Sequence, residues 1–232
     1  MASYAEKPWL KSYKLGPFKL KKTIQYPHKP LFAILDEAAA QFPGKDAYHY
    51  LGRRMKYHAL KRQVDAFANA LANLGIKKGG RVIVFLPTCP QFIISDFAIL
   101  KIGAVLVPCS PILKAPELKH QAQESGAETI VCLDIYLELM NSIKAETGIK
   151  NIIITSREDY SPSESAEATE FPGTVQLRRL ITEHEPEPPE VDLDPTEDLA
   201  ILAFTGGSTG VPKGVMLTHY QRFTNILQGL PW

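Results

Sequence analysis

The spacing of hydrophobic residues predicts two helices near the start of the chain. Apolar side chains recur every three or four positions over residues 31–42 and again over residues 60–74, which is the period of an amphipathic helix. Pro43 and Gly44 follow the first segment and Gly75 follows the second, and these residue types commonly end helices. The sequence therefore predicts one helix in each segment.

Strand patterns begin between these helices and become regular after them. Residues 47–50 and 55–57 flank a turn-like stretch at 51–54 and predict a β-hairpin. Farther along, strands are predicted at residues 81–86, 104–107, 129–133 and 152–155, and helices at residues 92–100, 117–125 and 135–143. This alternation is typical of parallel βαβ units, and such apolar strands fit a sheet covered on both faces. The predicted fold class is α/β.

Two polar stretches separate this region from the end of the chain. Residues 157–170 are rich in Ser, Glu and Ala, and residues 183–195 hold four prolines among acidic residues. Neither composition favours a packed core, so both stretches are predicted to be exposed loops. A turn at residues 195–198 then leads into an apolar run, which predicts a buried strand at residues 199–204.

Glycines, hydroxyl residues and a lysine follow this last predicted strand. Backbone N–H groups can approach phosphate oxygens closely at glycine, which also tolerates positive φ. Hydroxyl groups donate hydrogen bonds to the same oxygens, and a lysine adds positive charge. The residues predicted to bind a polyphosphate are Thr205, Gly206, Gly207, Ser208, Thr209, Gly210 and Lys213. The order differs from a Walker A loop, because Lys213 lies between Pro212 and Gly214.

The segment from Phe204 to Gly214 resembles the phosphate-loop signature of the adenylate-forming (AMP-binding) superfamily. This superfamily includes acyl-CoA synthetases, firefly-luciferase-like enzymes and peptide-synthetase adenylation domains, and its signature is aromatic-Thr-Ser-Gly-Ser/Thr-Thr-Gly-x-Pro-Lys-Gly. The chain differs from it once, with Gly206 where Ser is common. Earlier segments look like the ordered landmarks of acyl-CoA synthetase N-terminal regions and support the fold alone. These segments are residues 79–82, 86–91, 101–104 and 117–118 followed by 125–127.

The resemblance implies a ligase that activates a carboxylic acid, expected to be a fatty acid, with ATP. Pyrophosphate leaves, and the acyl group of the resulting acyl-adenylate passes to coenzyme A. The loop from Thr205 to Lys213 would hold the β- and γ-phosphates, and a Mg²⁺ ion that Thr205 can contact would neutralise part of their charge. No catalytic residue is assigned within the chain. The expected partners are the acid, ATP and coenzyme A, with no nucleic acid.

The resemblance covers only the first part of such an enzyme, because the chain ends at Trp232, soon after the loop. Residues 1–45 are expected to form a packed basic arm and the first helix, and residues 46–232 an α/β region. The acyl pocket, the adenine and ribose motifs and the mobile C-terminal domain of the family are not found. The chain is therefore expected to be an N-terminal portion that is inactive alone. Two alternatives stay open: half of a split ligase completed by a second chain, and a non-catalytic nucleotide-binding or interaction module.

Composition and charge restrict the function further. Hydrophobic residues make up 45% of the chain and the net charge is +1, so an ordinary globular protein without general attraction to nucleic acid is expected. Seven lysines and one acid lie in the first thirty residues, but interleaved aromatic residues and prolines favour an arm packed on the domain over one bound to lipid or nucleic acid. Cys89, Cys109 and Cys132 form no Cys-x-x-Cys pair, which argues against a zinc site and a disulfide framework. Without a membrane-span or signal-peptide pattern, a cytoplasmic protein is expected.

A helix-capping pattern follows the phosphate loop. Thr218 and Gln221 have the Ser/Thr-x-x-Glu/Gln spacing of a capping box and predict a helix from His219 toward Leu230. His219 has no acid or nucleophile beside it in sequence, so a scaffold role at the helix terminus is favoured over a catalytic one.

Overall fold

Seven strands form one sheet in the part of the chain that the computed structural model describes, which is residues 7–8, 23–161, 171–206, 210 and 212–229. The elements in chain order are α1 (Ala33–Gln41), β1 (Asp46–Tyr50), β2 (Arg53–Lys56), α2 (Tyr57–Asn73), β3 (Arg81–Phe85), α3 (Pro90–Lys101), β4 (Val105–Pro108), α4 (Ala115–Ser125), β5 (Thr129–Leu133), α5 (Leu137–Lys144), β6 (Asn151–Thr155), β7 (Val175–Gln176), α6 (Leu177–Glu183), β8 (Leu199–Thr205), β9 (Lys213–Thr218) and α7 (His219–Gly229).

The sheet has the strand order β7-β6-β5-β3-β4-β8-β9. Neighbouring strands from β7 to β8 are parallel, whereas β8 and β9 are antiparallel. The register aligns Ile83 of β3 with Ile130 of β5, and Leu106 of β4 with Ile201 of β8. β1 and β2 form a separate antiparallel hairpin. The predicted α/β fold with parallel βαβ units is confirmed.

Helices pack on both faces of the sheet because its central strands are apolar on both sides. In β3, Val82 and Val84 belong to the hydrophobic cluster with α1, α2, α3 and α6, whereas Ile83 and Phe85 belong to the one with α4 and α5. All four side chains are fully buried. The alternation follows from the period of a strand, whose successive side chains point to opposite faces. Burial on both faces explains why the strand patterns in the sequence are continuous apolar runs.

Several observed element boundaries differ from the predicted ones by a few residues, among them the hairpin turn and the start of α5. The β1–β2 turn is shorter than predicted, since only Leu51 and Gly52 connect the strands, with φ of 46° and 83°. Positive φ at both positions is typical of a tight two-residue hairpin turn, so residues 53–54 belong to a strand. The helix predicted at residues 135–143 is also shorter, because Asp134–Tyr136 form a 3-10 turn before α5 begins.

The first predicted exposed loop is wrong at its beginning. Arg157–Tyr160 form a short 3-10 helix in which Tyr160 is buried. The Tyr160 hydroxyl donates a hydrogen bond to Gln63 Oε1 at 2.7 Å, which ties this segment to α2. Residues 162–170 lie outside the described part of the chain. After them come β7 and α6, two short elements that the hydrophobic pattern did not predict.

The second predicted loop is irregular, as expected, but it is packed rather than fully exposed. Val191 and Leu193 surround the turn at Gly103, where an ideal Cβ would lie 3.0 Å from Val191 Cγ1 and 3.3 Å from Leu193 Cδ2. Lys78 Nζ also donates to the carbonyl oxygen of Asp192 at 2.8 Å. This stretch therefore crosses the sheet end at which β3 begins and leads the chain into β8.

The predicted basic arm lies mainly in residues 1–6 and 9–22, outside the described residues. Residues 23–30 have no regular structure and contact α7. Tyr26 Oη accepts a hydrogen bond from Gln228 Nε2 at 3.1 Å, and the rings of His28 and Tyr220 lie 5.0 Å apart. The described end of the arm is thus packed on the domain.

Neither a disulfide nor a helix that could span a membrane is found in the described part of the chain. Cys89, Cys109 and Cys132 are buried free thiols. Burial raises the pKa of Cys109 and of Cys132 to about 12. Since the thiolate is the reactive form, these two thiols are chemically quiet at neutral pH.

Candidate functional site

The β8–β9 hairpin carries the predicted phosphate loop at the carboxyl edge of the parallel strands. Thr205, the last residue of β8, pairs across the hairpin with Lys213, the first residue of β9. Thr205 Oγ1 donates to the carbonyl oxygen of Lys213 at 3.4 Å. Directly opposed residues of antiparallel strands share one face, so both side chains leave the hairpin on the same side of the loop formed by residues 206–212.

The predicted site residues that the structure describes are open to solvent. They are Thr205, Gly206, Gly210 and Lys213, all of which are exposed. The other three, Gly207, Ser208 and Thr209, lie outside the described residues. The structure therefore brings together the two ends of the predicted loop.

The loop glycines that are described do not use the positive φ values that glycine permits. Neither Gly206 nor Gly210 has φ between +20° and +160°, and an ideal Cβ at either position meets no atom within 4 Å. The backbone conformation thus does not demand glycine at these two positions. What glycine provides is free space next to the backbone, where phosphate oxygens can approach its N–H groups.

Strand β8 is less buried than predicted. Two residues of β8, Ala200 and Leu202, are buried, and Thr205 is exposed, because the neighbouring strand β9 is the edge of the described sheet and is mainly exposed. The half-buried residues of β8 are Leu199, Ile201, Ala203 and Phe204. Gly214 of β9 pairs with Phe204, and a Cβ at Gly214 would lie 2.8 Å from Leu202 Cδ1. This glycine of the Pro-Lys-Gly sequence therefore leaves room for core side chains of β8.

His120 of α4 contacts both ends of the loop. Its Nε2 lies 3.4 Å from the carbonyl oxygen of Pro212, and its ring packs edge-on against Phe204 with centroids 6.3 Å apart. Phe204 immediately precedes Thr205, and Pro212 immediately precedes Lys213. Sequence reasoning missed His120 because it lies 92 positions from Pro212, in a segment interpreted as scaffold. No local pattern distinguishes it.

Polar contacts fix the base of the hairpin to the rest of the domain. The predicted capping box is confirmed, since Thr218 N donates to Gln221 Oε1 at 2.9 Å and Gln221 N donates to Thr218 Oγ1 at 3.2 Å. One turn into α7, the two terminal nitrogens of Arg222 donate to the two carboxylate oxygens of Asp96 on α3, at 2.8 and 2.6 Å. Such a two-fold contact holds the helix after the hairpin in a defined orientation.

His219 is fully buried at the start of α7. Its Nδ1 accepts a hydrogen bond from Leu31 N at 3.2 Å, and its ring lies edge-on to Phe32. Burial lowers the pKa of His219 to about 4, so the ring is neutral at physiological pH. The contacts join α7 to the start of α1, which supports the scaffold role predicted for this histidine.

Comparison with known proteins identifies the family. A family model described as AMP-binding enzyme matches residues 35–230. The chain belongs to this family. It is 31% identical to a long-chain-fatty-acid–CoA ligase of Bacillus subtilis (strain 168), over 98% of this chain and 43% of that protein. It is 30% identical to a long-chain-fatty-acid–CoA ligase of Haemophilus influenzae, over 96% of this chain and 42% of that protein.

Solved structures of AMP-binding enzymes have the same fold. A long-chain-fatty-acid-CoA ligase from Archaeoglobus fulgidus matches with a TM-score of 0.75 and 25% identity, over 91% of this chain and 41% of that chain. An anthranilate CoA ligase in complex with anthranoyl-AMP matches with a TM-score of 0.74 over 87% of this chain and 37% of that chain, and its 22% identity supports the fold alone. The chain spans less than half the length of these relatives.

Few protein ligands for a metal ion are found in the part of the chain that the structure describes. Within the described ranges, no group of three or more His, Cys, Asp or Glu side chains could hold one. Mg²⁺ commonly keeps several water ligands and binds substrate phosphates together with one or two protein oxygens. The exposed hydroxyl of Thr205 fits that shared type of site, whereas an all-protein metal cage does not fit the described residues.

Proposed function

We propose that this chain is the phosphate-binding N-terminal portion of an AMP-forming acyl-CoA ligase. Such a ligase activates a carboxylic acid with ATP to an acyl-adenylate and transfers the acyl group to coenzyme A. The observation that carries the proposal is the pairing of Thr205 with Lys213, two exposed residues that set a hydroxyl donor and a positive charge at the two ends of the loop. Membership of the AMP-binding family supports a nucleotide as the ligand of this proposed anion site.

In the proposed site, the loop holds the β- and γ-phosphates of ATP. Lys213 neutralises phosphate charge, and the Thr205 hydroxyl donates to a phosphate oxygen in place of its present acceptor. Backbone N–H groups beside Gly206 and Gly210 approach the phosphates through the free space at these glycines. Gly207, Ser208 and Thr209 complete the proposed loop. Mg²⁺, bound through the phosphates and Thr205, would neutralise further negative charge as pyrophosphate leaves.

The proposed acid is a long-chain fatty acid. Support comes from the Bacillus subtilis and Haemophilus influenzae relatives, both of which are named long-chain-fatty-acid–CoA ligases. Contacts to the acyl chain, adenine and ribose are assigned to the remainder of the ligase, whether it lies on the same chain or on a second one. The buried free thiols fit the reducing cytoplasm, which is the proposed location.

Replacing Lys213 with alanine tests the site directly. Isothermal titration calorimetry with MgATP should show affinity weakened by about tenfold or more, because a charge-assisted contact to phosphate is lost. Lys150→Ala is the matched control. Lys150 is an exposed lysine that pairs with Glu128 and lies just before β6, at the amino end of the parallel strands and away from the loop. Equal MgATP affinities for wild type and Lys213→Ala would remove the loop from the proposed function.

A second test addresses catalysis by the chain alone. Acid-dependent exchange of pyrophosphate into ATP should not exceed that of Lys213→Ala, because a phosphate loop without the walls that position the carboxylate loses the rate gain of proximity and orientation. The measurement uses labelled pyrophosphate with long-chain and aromatic acids. If the chain is half of a split ligase, adding the remainder of a full-length relative as a second chain should restore exchange. Exchange by the chain alone, above the Lys213→Ala level, would place a complete active site within residues 1–232.

A further inference from the structure

His120 contacts the residues at both ends of the phosphate loop. The carbonyl oxygen of Pro212 can only accept a hydrogen bond, so His120 must donate from Nε2 across the 3.4 Å between them. The imidazole ring also packs against the ring of Phe204 in an edge-on arrangement. One side chain thereby contacts the residue before Thr205 and the residue before Lys213.

His120 is itself held in place by the packing of its helix. Leu118 and Ala122 of α4 are buried in the cluster that covers this face of the sheet. At the start of α4, Glu117 Oε2 accepts a hydrogen bond from Lys114 N at 2.8 Å, and Gly126 ends the helix with φ of 63°. Because α4 is capped at both ends and packed on the sheet, the position of His120 is well defined relative to the ends of the loop.

The two faces of the hairpin separate this contact from the predicted phosphate ligands. Phe204 pairs with Gly214, and the next pair along the hairpin is Thr205 with Lys213. Successive side chains of a strand point to opposite faces, so His120 contacts the hairpin on the face of Phe204 and leaves the other pair accessible. Contact with His120 and contact of Thr205 and Lys213 with phosphate are thus compatible at the same time.

We propose that His120 is a positioning residue that holds the ends of the phosphate loop together in the shape that binds ATP. The proposal rests on the proposed function and deepens it. His120 touches Phe204 and Pro212 and does not belong to the predicted phosphate ligands. It acts through the orientation of Thr205 and Lys213, so its loss weakens phosphate binding without removing a ligand.

Three substitutions separate the hydrogen bond from ring packing. His120→Ala removes both contacts, His120→Gln keeps an N–H donor, and His120→Phe keeps a ring. Calorimetry with MgATP and with inorganic tripolyphosphate should show about three- to tenfold weaker binding for His120→Ala, the effect of one lost hydrogen bond. His120→Gln should recover most of that loss and His120→Phe should not. If ligand affinity recovered in His120→Phe but not in His120→Gln, ring packing rather than the hydrogen bond would position the loop, and the hydrogen-bond role would be overturned.

The matched control is Gln123→Ala, three residues after His120 on α4. Gln123 Nε2 donates to the carbonyl oxygen of Glu146 at 2.7 Å, so its loss removes a hydrogen bond of the same helix away from the loop. Ligand affinity should stay at the wild-type value. Urea unfolding of each variant shows whether a loss of ligand affinity comes only from a less stable fold. If the losses of affinity in both His120→Ala and His120→Gln were explained by reduced stability of the whole domain, the proposal would be contradicted.

Amide hydrogen exchange provides a readout without ligand. In His120→Ala, the amides of Lys213 and Gly214 should exchange faster than in wild type, whereas those of the buried strand β3 should not change. Unchanged exchange at Lys213 and Gly214 would overturn the inference.

If Lys213→Ala weakens ATP binding and His120→Ala does not, the inference fails and the proposed function stands. If wild type and Lys213→Ala bind MgATP equally, the proposed function fails, and with it the role of His120 in ATP binding. Exchange at Lys213 and Gly214 then still tests whether His120 orders the ends of the loop.

Discussion

The centre of the sheet and the β8–β9 hairpin are stabilised in different ways. In β3 and β5 nearly every side chain is buried between helices on both faces. In β9 the side chains are mainly exposed, with Met216 at 63% and Val215 at 41% exposure. The hairpin is held instead by individual contacts, from Arg222 to Asp96 at its base and from His120 at its loop. Hydrophobic burial thus dominates at the centre of the sheet, whereas individual side-chain contacts link the candidate site to α3 and α4.

The largest expected effect is a loss of stability in the centre of the sheet. Phe85 of β3 is fully buried and packs edge-on against Tyr136 with ring centroids 4.9 Å apart. Phe85→Ala should lower the free energy of unfolding by about 3–5 kcal/mol, through lost transfer energy and a cavity. Met216→Ala in the hairpin should change it by less than about 0.5 kcal/mol. Urea unfolding of the two variants measures both changes in the free energy of unfolding. Losses of similar size would contradict the view that the sheet centre and the hairpin are stabilised in different ways.

The same difference explains which parts of the fold could be predicted from the sequence. Strand β5 has the predicted bounds, Thr129–Leu133, because a strand buried on both faces requires an uninterrupted apolar run. β7 has only two residues and α6 only seven, so neither is long enough to produce a periodic pattern. Tyr160 is buried in the cluster that includes α2 and donates a hydrogen bond to Gln63, a residue 97 positions away, so local sequence does not predict its burial.

At the candidate site, sequence reasoning found the loop and missed its surroundings. Thr205 and Lys213 were selected by residue type and spacing, and the structure pairs them across the hairpin. His120 reaches the loop only through the packing of α4 beside β8, which local sequence does not encode. The φ values of Gly206 and Gly210 were also not predictable, since glycine permits a left-handed conformation without requiring one.

The second prediction concerns pH and the base of the hairpin. Because burial lowers the pKa of His219 from 6.5 to about 4, the unfolded chain binds a proton between these pH values that the folded chain does not. Stability should therefore rise with pH from about 4 to about 6.5 and be lost on acidification, by up to about 3 kcal/mol from this group. Urea unfolding at pH 5 and pH 7.5 measures the change.

A non-titrating variant separates His219 from the other acid-sensitive groups. In His219→Asn, the amide oxygen can accept the hydrogen bond from Leu31 N in place of Nδ1. Asp198, Arg222 and Lys78 provide the charges that act on His219, and all three stay in the variant. The variant should be less stable at neutral pH because packing is lost, but it should lose less stability than wild type on going to pH 5. Equal losses would mean that His219 is protonated in the folded state.

The smallest expected effect is at Gly206, where the family signature commonly has serine. Since φ at Gly206 lies outside the left-handed region and a Cβ there meets no atom within 4 Å, serine should fit without strain. Gly206→Ser should leave the free energy of unfolding within about 0.5 kcal/mol of wild type, with a small gain from reduced unfolded-state entropy. MgATP affinity should be equal or higher, because the new hydroxyl adds a donor.

The matched control for Gly206→Ser is a glycine that also has room for a side chain but has left-handed backbone. At Gly126, the C-cap of α4, φ is 63° and the nearest atom to an ideal Cβ is Arg81 Nη1 at 3.7 Å, so only the backbone conformation opposes a side chain. Gly126→Ser should therefore cost about 1 kcal/mol or more in urea unfolding. If Gly206→Ser lost as much stability as Gly126→Ser, Gly206 would have to adopt left-handed backbone in solution. The loop would then need glycine at position 206 for its backbone conformation, and the free space beside Gly206 would not explain the residue.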